Sequence, residues 1–227
     1  MKAKLIVASL SLLLSSLPAL ANTVVERDAN LSGSGFVLQL QSNGEHHRGR
    51  LGFGGFFNDP AFVGALAMAV EIHQGPLLDA GKVLADDTQL GDEFQHSRLG
   101  LFIDIYQQQP ELGRDRAGSG MLQFYGYNTR ADELNNYGLG MNLGFGLSLV
   151  DALFFQLEGG LRPGVLSTAA FNQGLAYLGE YDWGLGLHYS LHPKFTLLAD
   201  YNGSGIFHSQ TPIQLHQGWS AGFRLLF

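Results

Sequence analysis

Apolar side chains occupy every second position over long stretches of this chain. The clearest case is YGLGMNLGFGLSL, residues 137–149. One set of alternate positions carries Tyr, Leu, Met and Phe, and the other carries mainly Gly, with Asn142 and Ser148. A period of two is typical of a β-strand whose two faces meet different surroundings. The pattern therefore predicts strands with one bulky face and one face of small or polar groups.

Ten segments between residues 34 and 227 show this alternation. Their bulky positions include Leu38, Phe53, Met68, Leu101, Leu139, Leu143, Leu157, Leu185, Leu197 and Phe223. The segment 118–128 is ambiguous, because Leu122 and Phe124 alternate with Tyr125 and Tyr127. Each segment has about 9–11 residues, the length that a tilted strand needs to cross a bilayer. We expect an all-β fold, a single antiparallel transmembrane β-barrel of about ten strands, with eight strands as the alternative.

The predicted connections alternate between short and long, as they do in bacterial outer-membrane barrels whose termini lie in the periplasm. Short turns are predicted at 58–60, 150–151 and 192–194, and long outer links at 74–95, 162–178 and 206–215. The inner link at 110–116 is longer than this scheme expects. For the acidic outer link 74–95 three roles stay open: covering the barrel mouth, binding a partner or cation, or moving freely.

The first residues, MKAKLIVASLSLLLSSLPALA, have a basic start, an apolar centre and a small-residue cleavage site. This pattern predicts a signal peptide over residues 1–21, cleaved after Ala21 on export through the Sec pathway. A periplasmic segment over residues 22–33 and a barrel over residues 34–227 would follow. No later stretch reaches the 18 or so apolar residues of a membrane helix, so this chain would cross lipid only as a closed barrel. The predicted location is the outer membrane.

The composition removes several kinds of chemistry. The chain has no cysteine, which excludes disulfides, thiolate catalysis and cysteine-based zinc sites. Its net charge of −7, with only 13 Lys and Arg residues, argues against nucleic acid as a partner.

Isolated charges lie on the face that is otherwise rich in glycine. They are Arg50, Glu71, Arg98, Asp104, Glu158, Asp200 and Arg224. Three guanidinium groups against four carboxylates predict a lumen of interleaved ion pairs, since an unpaired buried charge is costly. The bulky face would then contact acyl chains. The alternative is a soluble periplasmic β-domain, in which the bulky side chains would point into a shared interior.

Aromatic residues collect near the predicted strand ends, where barrels carry aromatic girdles at the membrane interfaces. The predicted girdle residues are Tyr137, Tyr181, Trp183, Tyr189 and Tyr201.

The last ten residues, GWSAGFRLLF, resemble the C-terminal signal of Gram-negative outer-membrane barrels. That resemblance implies that the barrel-assembly machinery recognises Trp219, Phe223, Leu225 and Phe227. Residues 161–201 resemble the YfaZ-like family of predicted outer-membrane proteins, whose biochemical role is unassigned.

Candidate catalytic groups do not combine into a site. Omptin-like proteases need Asp and His pairs at the outer rim, but Asp182 and His188 lie six residues apart on one strand, about 20 Å. A lipid-hydrolysing barrel needs a membrane-facing histidine, and His188 is on the inward face. His208 and Ser209 are sequence neighbours, which rarely form a nucleophile–base pair. We predict no catalytic residues, no cofactor and no metal site.

Five histidines fall in predicted links or turns: His46, His47, His192, His208 and His216. Their spacing matches no familiar metal site, so we expect them to be solvated.

The leading functional hypothesis is a non-enzymatic outer-membrane barrel with a polar ion-paired lumen and outer loops that serve structural or ligand contacts. A narrow channel for small solutes or ions is the alternative, and a rim hydrolase a further one. Outer-membrane lipid, lipopolysaccharide and, during biogenesis, the assembly machinery are the expected partners. The oligomeric state is left open.

Overall fold

In a computed structural model of the chain, ten antiparallel strands form a closed barrel. The structure describes residues 33–59, 62–79, 90–107, 118–150, 152–168, 177–192, 194–209 and 212–227. The strands are β1 (Gly33–Ser42), β2 (His47–Asp59), β3 (Phe62–Pro76), β4 (Glu93–Gln107), β5 (Gly118–Ala131), β6 (Leu134–Val150), β7 (Leu153–Pro163), β8 (Tyr177–His192), β9 (Phe195–His208) and β10 (Ile213–Leu226). The predicted ten-stranded barrel is confirmed, and the eight-stranded alternative is wrong.

Each strand pairs with its neighbours in sequence, and β1 pairs with β10 to close the barrel. The β1–β10 seam joins six residue pairs, from Val37 with Leu226 to Ser42 with Ala221. The β1–β2 pairing joins ten, so the seam is the shorter edge of β1. Beyond the seam register, the backbones of Phe36 and Phe227 exchange two hydrogen bonds of 3.2 and 3.0 Å.

The strands are longer than the sequence predicts. They contain 10 to 17 residues, because pairing continues into segments that were expected to be loops. The predicted long link at 206–215 is wrong, since β9 ends at His208 and β10 begins at Ile213. The link at 162–178 is shorter than predicted for the same reason, with β7 ending at Pro163 and β8 beginning at Tyr177.

Several predicted features lie outside the described residues: the signal peptide over 1–21, nearly all of the segment over 22–33, and the link at 110–116. Strand β1 begins at Gly33, one residue before the predicted start of the barrel. In the part of the chain that is described, no helix is both long and apolar enough to span a membrane.

The bulky face of the strands points outward. Leu139 is 57% exposed, Leu143 47% and Leu185 40%, and Phe223 is half-exposed on the same face of its strand. A shared apolar interior built from these side chains is therefore excluded, as the barrel interpretation predicted. The ambiguous strand β5 is resolved as well, because Phe124 is exposed while Tyr125 and Tyr127 are buried in the bore.

Two irregularities change which side chains enter the bore. The pairing of β9 with β10 shifts between Gln214 and His216, so the adjacent residues Leu215 and His216 are both buried. A second shift lies in β8, where Gly179 has a φ of +140° that side-chain-bearing residues rarely adopt. It leaves Tyr177 and Glu180 both inside the bore.

We call the barrel end that carries the β1–β2, β3–β4, β5–β6, β7–β8 and β9–β10 links the mouth. Nine buried side chains form an apolar cluster at the mouth: Leu77, Leu90, Phe94, Ala131, Leu134, Tyr177, Ile206, Ile213 and Leu215. We call these residues the mouth cluster.

A short segment that follows β3, Leu77–Asp79, crosses the mouth, and we call it the strap. The Leu78 N–H donates to the carbonyl oxygen of Leu215, and the Asp79 N–H donates to that of Gln214, both at 3.2 Å. The Asp79 carboxylate accepts a bond from the Gln214 N–H at 2.6 Å. Strands β3 and β10 are separated by β2 and β1, so the strap ties together strands that are not neighbours. Residues 80–89 of the predicted 74–95 link lie outside the described residues, and the three roles of that link stay predictions.

Neighbouring glycines on β7 offer a test of the packed bore. A Cβ at Gly160 would overlap side-chain atoms of Asn142 and Asp182, whereas a Cβ at the outward Gly159 would meet nothing within 4 Å. We expect Gly160→Ala to lower the free energy of unfolding by about 1–3 kcal/mol through overpacking. Gly159→Ala is the matched control and should change it little. Urea unfolding in lipid vesicles, followed by tryptophan fluorescence, measures both, and equal effects would contradict a packed bore.

Candidate functional site

Glu71 lies at the centre of the bore and binds three guanidinium groups. Its carboxylate accepts hydrogen bonds from Arg48 Nε at 2.9 Å, Arg50 Nε at 2.7 Å and Arg98 Nη2 at 2.6 Å. The strand register explains the meeting, since Arg50 and Arg98 are the direct partners of Glu71 on β2 and β4. One buried carboxylate therefore holds three strands to each other through their inward faces.

A second group of charges surrounds Arg162 at the mouth end of β7. Arg162 Nε donates to Glu180 at 3.1 Å, and Arg162 Nη1 donates to Asp182. Arg98 Nη1 lies 3.9 Å from the Asp182 carboxylate and joins this group to the one around Glu71. Thr129 also donates to Glu180, at 2.7 Å, from β5 on the far side of two strands.

One ion pair spans the whole bore. Arg48 Nη1 lies 3.2 Å from Glu158 Oε1. Arg48 is on β2 and Glu158 on β7, which are five strands apart in either direction around the barrel. Two diametrically opposite walls are therefore in direct contact through their side chains.

Aromatic rings support three of the four arginines in these groups. The pairs, measured from guanidinium carbon to ring centre, are Arg50 with Phe102 at 4.7 Å, Arg98 with Tyr125 at 5.1 Å and Arg162 with Tyr127 at 5.6 Å. A planar guanidinium group is attracted to an aromatic face, and it does so more strongly where water is excluded. This explains why β5 turns its tyrosines inward and Phe124 outward.

Polar contacts continue away from the mouth. His188 Nε2 lies 2.8 Å from Asp200 Oδ1, and Gln41 donates to the same carboxylate. Arg224 Nε donates to Gln39 Oε1 at 3.1 Å, so its described partner is an amide rather than a carboxylate.

Four of the seven predicted lumen residues lie in ion pairs: Arg50, Glu71, Arg98 and Glu158. Asp200 is hydrogen-bonded to His188 and Gln41, Arg224 donates to Gln39, and the side chain of Asp104 lies outside the described residues. Their functional importance stays a prediction. The sequence reasoning omitted Arg48, Arg162, Glu180 and Asp182 from the network. Arg162 and Glu180 continue the inward parity of β7 and β8 past the predicted strand ends, and Asp182 lies on the inward parity within the predicted strand, which was the available signal.

The predicted girdle residues lie on the outer surface. Trp183, Tyr201 and Trp219 form a row across β8, β9 and β10, with ring centres 5.5 and 5.1 Å apart. Tyr181 packs on Phe207 at 4.4 Å, and Tyr137 and Tyr189 are exposed. A membrane-interface role for them stays a prediction.

The residues of the predicted assembly signal share the outward face of β10. Trp219 and Phe227 are exposed, and Phe223 and Leu225 are half-exposed. Their recognition by an assembly machinery stays a prediction.

The prediction of solvated link histidines is wrong for three of the five. His46, His208 and His216 are buried, because the strands extend further and the strap covers the mouth, whereas His47 and His192 are exposed. Within the described ranges, no group of three or more His, Asp or Glu side chains is arranged to hold a metal ion.

A cavity of about 40 Å³ lies beside the ion pairs, below the mouth. Its lining includes Arg48, Glu71, His73, His96, Arg98, Glu158, Arg162, Asp182, Asn202, Ser204 and His216. Four lining atoms are buried and lack a hydrogen-bond partner: His96 Nε2, Arg98 Nε, Ser204 Oγ and His216 Nδ1. A space of this size and polarity fits a few water molecules, since each needs roughly 10–15 Å³ and two to four polar partners.

No family model and no curated protein sequence matches the chain, so the resemblance to the YfaZ-like family is not confirmed. Among solved structures, the KdgM porin in complex with disordered oligogalacturonate has a TM-score of 0.40 at 9% identity, covering 85% of this chain and 99% of that one. The NanC porin has a TM-score of 0.40 at 8% identity, with the same coverage. The β domain of the Bordetella autotransporter BrkA has a TM-score of 0.36 at 13% identity, covering 85% and 97%. No functional conclusion follows from likeness at this level.

Glu71 provides a test of the network. We expect Glu71→Gln to lower the free energy of unfolding by about 3–5 kcal/mol, because it leaves guanidinium groups buried without their shared carboxylate. Glu45→Gln, at an exposed position of the β1–β2 link, is the control and should have little effect. Urea unfolding in vesicles at neutral pH measures both variants, and a Glu71 variant as stable as its parent would refute the central role of this carboxylate.

Proposed function

We propose that this protein is a closed, non-conducting, non-enzymatic β-barrel of the bacterial outer membrane, which acts through its outer surface rather than through its bore. The observation that carries the proposal is the ion pair between Arg48 and Glu158, which joins opposite walls of the barrel. Side chains that meet across the bore narrow the path open to solutes, which supports a closed resting state.

The outer surface supports the membrane location. Strand β6 exposes Leu139, Met141, Leu143, Phe145 and Leu147 in succession on its outward face. A continuous apolar band on a closed barrel suits contact with lipid tails, whereas in water a patch of this extent favours association. On this proposal, lipid and lipopolysaccharide surround the barrel, the mouth faces outward, and the assembly machinery inserts it by way of Trp219, Phe223, Leu225 and Phe227.

The buried histidine–carboxylate pair is a poor basis for a rim hydrolase. His188 is 7% exposed and bonded to Asp200 inside the bore, so a substrate at the rim or in the membrane would not reach it. We therefore assign this pair to the packing of the lumen.

A narrow channel for small ions is the second candidate, and the polar cavity favours it. Four unpartnered polar atoms around about 40 Å³ of space would suit hydrated ions if the ion pairs rearranged. The two candidates differ in whether the resting barrel conducts.

Leu143 tests the membrane location. It lies near the middle of β6 and points outward. We expect Leu143→Arg to lower the stability of the folded barrel in vesicles by about 2–4 kcal/mol, because the charge would enter the hydrocarbon near its midplane. Glu45→Arg, in the exposed β1–β2 link, should cost little. In a water-soluble barrel the same charge on an exposed Leu143 would be harmless, and that result would refute the proposal.

Planar-bilayer recording tests closure of the bore. We expect the refolded protein to give no steady conductance, with insertion verified by heat-modifiable migration on SDS gels. The Arg48→Ala/Glu158→Ala variant removes the pair across the bore and should give brief conductance steps. The control, Glu45→Ala/Arg130→Ala, removes the same two charge types from exposed positions and should stay silent. A reproducible open state of the unmodified protein would favour the channel.

A further inference from the structure

Three histidines from different elements meet at the mouth end of the bore. His46 lies in the β1–β2 link, His73 on β3 and His216 on β10. Their ring centres are 4.0 Å apart for His46 and His216, 4.9 Å for His73 and His216, and 6.0 Å for His46 and His73. We call these residues the histidine trio.

The surroundings of the trio suit uncharged imidazoles. The ring of Phe94, from the mouth cluster, lies 5.1 Å from His73 and 6.0 Å from His46. In the described part of the chain, none of the hydrogen bonds joins a trio ring to a carboxylate: His216 bonds Asn202, and His46 bonds the carbonyl oxygen of Pro76. An imidazolium at this position would be a buried charge without a counter-ion.

Of the charged and titratable groups around the trio, some would oppose protonation of its rings and the others are already bound to other residues. Arg48, on β2, places its positive charge close to both His73 and His216. Glu71, on β3, is the nearby carboxylate, and it already binds three guanidinium groups. His96, on β4, bonds Thr129, and the strap's Asp79 bonds the backbone of Gln214.

Two residues of the trio adjoin the positions that hold the strap. His46 Nε2 lies 2.9 Å from the carbonyl oxygen of Pro76, the residue immediately before the strap. His216 follows Leu215, whose carbonyl oxygen accepts the Leu78 N–H of the strap. A displacement of either ring would therefore pull on a hydrogen bond that closes the mouth.

We propose that the histidine trio is an acid-responsive latch for the strap. At neutral pH the rings of His73 and His216 are uncharged and pack edge to face, and the strap stays closed. At acidic pH imidazolium groups form next to one another and to Arg48, and their mutual repulsion separates the rings and releases the strap from β10. This latch does not depend on the barrel being a channel, because the ion pairs below can stay in place while the mouth opens.

Hydrogen exchange of the strap tests the latch. The amides of Leu77, Leu78 and Asp79 bond to Asp92, Leu215 and Gln214 respectively. In the full chain refolded in micelles, we expect their protection factors, corrected for intrinsic exchange rates, to fall at least about tenfold between pH 7.5 and pH 4.0. Amides in the middle of β6 and β7 should keep their protection. Unchanged strap protection at pH 4.0 would overturn the proposal.

Variants separate the trio from other acid-sensitive groups. His73→Phe/His216→Phe keeps aromatic packing without a titratable ring, and strap protection should then be nearly the same at both pH values. His192→Gln, at the opposite end of the barrel, should respond like the unmodified protein. A full acid response in the double Phe variant would assign the effect to other groups and refute the latch.

A permanent charge provides a readout at constant pH. We expect His216→Arg to lower strap protection at pH 7.5 to the level that the unmodified protein shows at pH 4.0. Full protection in a folded His216→Arg barrel, verified by heat-modifiable migration, would contradict the proposal. If this variant fails to fold, the double Phe variant still decides the question.

Discussion

An ionised side chain inside a narrow closed bore has little water to solvate it, and this constraint governs the interior of the protein. The described bore meets it with five guanidinium groups, of Arg48, Arg50, Arg98, Arg162 and Arg224, and five carboxylates, of Glu71, Glu158, Glu180, Asp182 and Asp200. Most of these groups need partners from other strands, because neighbours on one strand point to opposite faces. The ion pairs that neutralise these buried charges therefore also hold strands on distant walls of the barrel in place.

The space for this network comes from the small residues between the charges. Glycine makes room for large bore side chains at Gly140, for example, where a Cβ would touch both the Tyr125 ring and the Arg162 side chain. The large apolar side chains of the same strands lie on the outward face. The alternation in the sequence thus has one cause on each face. The inward face must fit a narrow interior, and the outward face forms an apolar exterior.

The closed barrel could be predicted because a period of two does not depend on the details of side-chain packing. Leu139, Leu143 and Leu185 all point outward, as expected. The candidate site could be predicted only in part. Arg162 and Glu180 fell in or beside a predicted loop, and nothing local in the sequence shows that hydrogen bonding between strands continues that far. The burial of Leu215 beside the inward His216 depends on the bulge, and the burial of His46 depends on the strap. Both arise from contacts between residues far apart in the chain.

The six-pair seam between β1 and β10 has a mechanical consequence. Lateral tension on a closed sheet is carried by every strand pair in series, so separation begins where the fewest hydrogen bonds resist it. Across the seam, the described side-chain hydrogen bonds are those of Arg224 with Gln39 and of Gln41 with Asp200, and the strap also joins β3 to β10. The backbone ladder is therefore weakest at the seam, so these side-chain bonds and the strap must separate before the cylinder opens into a flat sheet with an edge that a foreign strand could join.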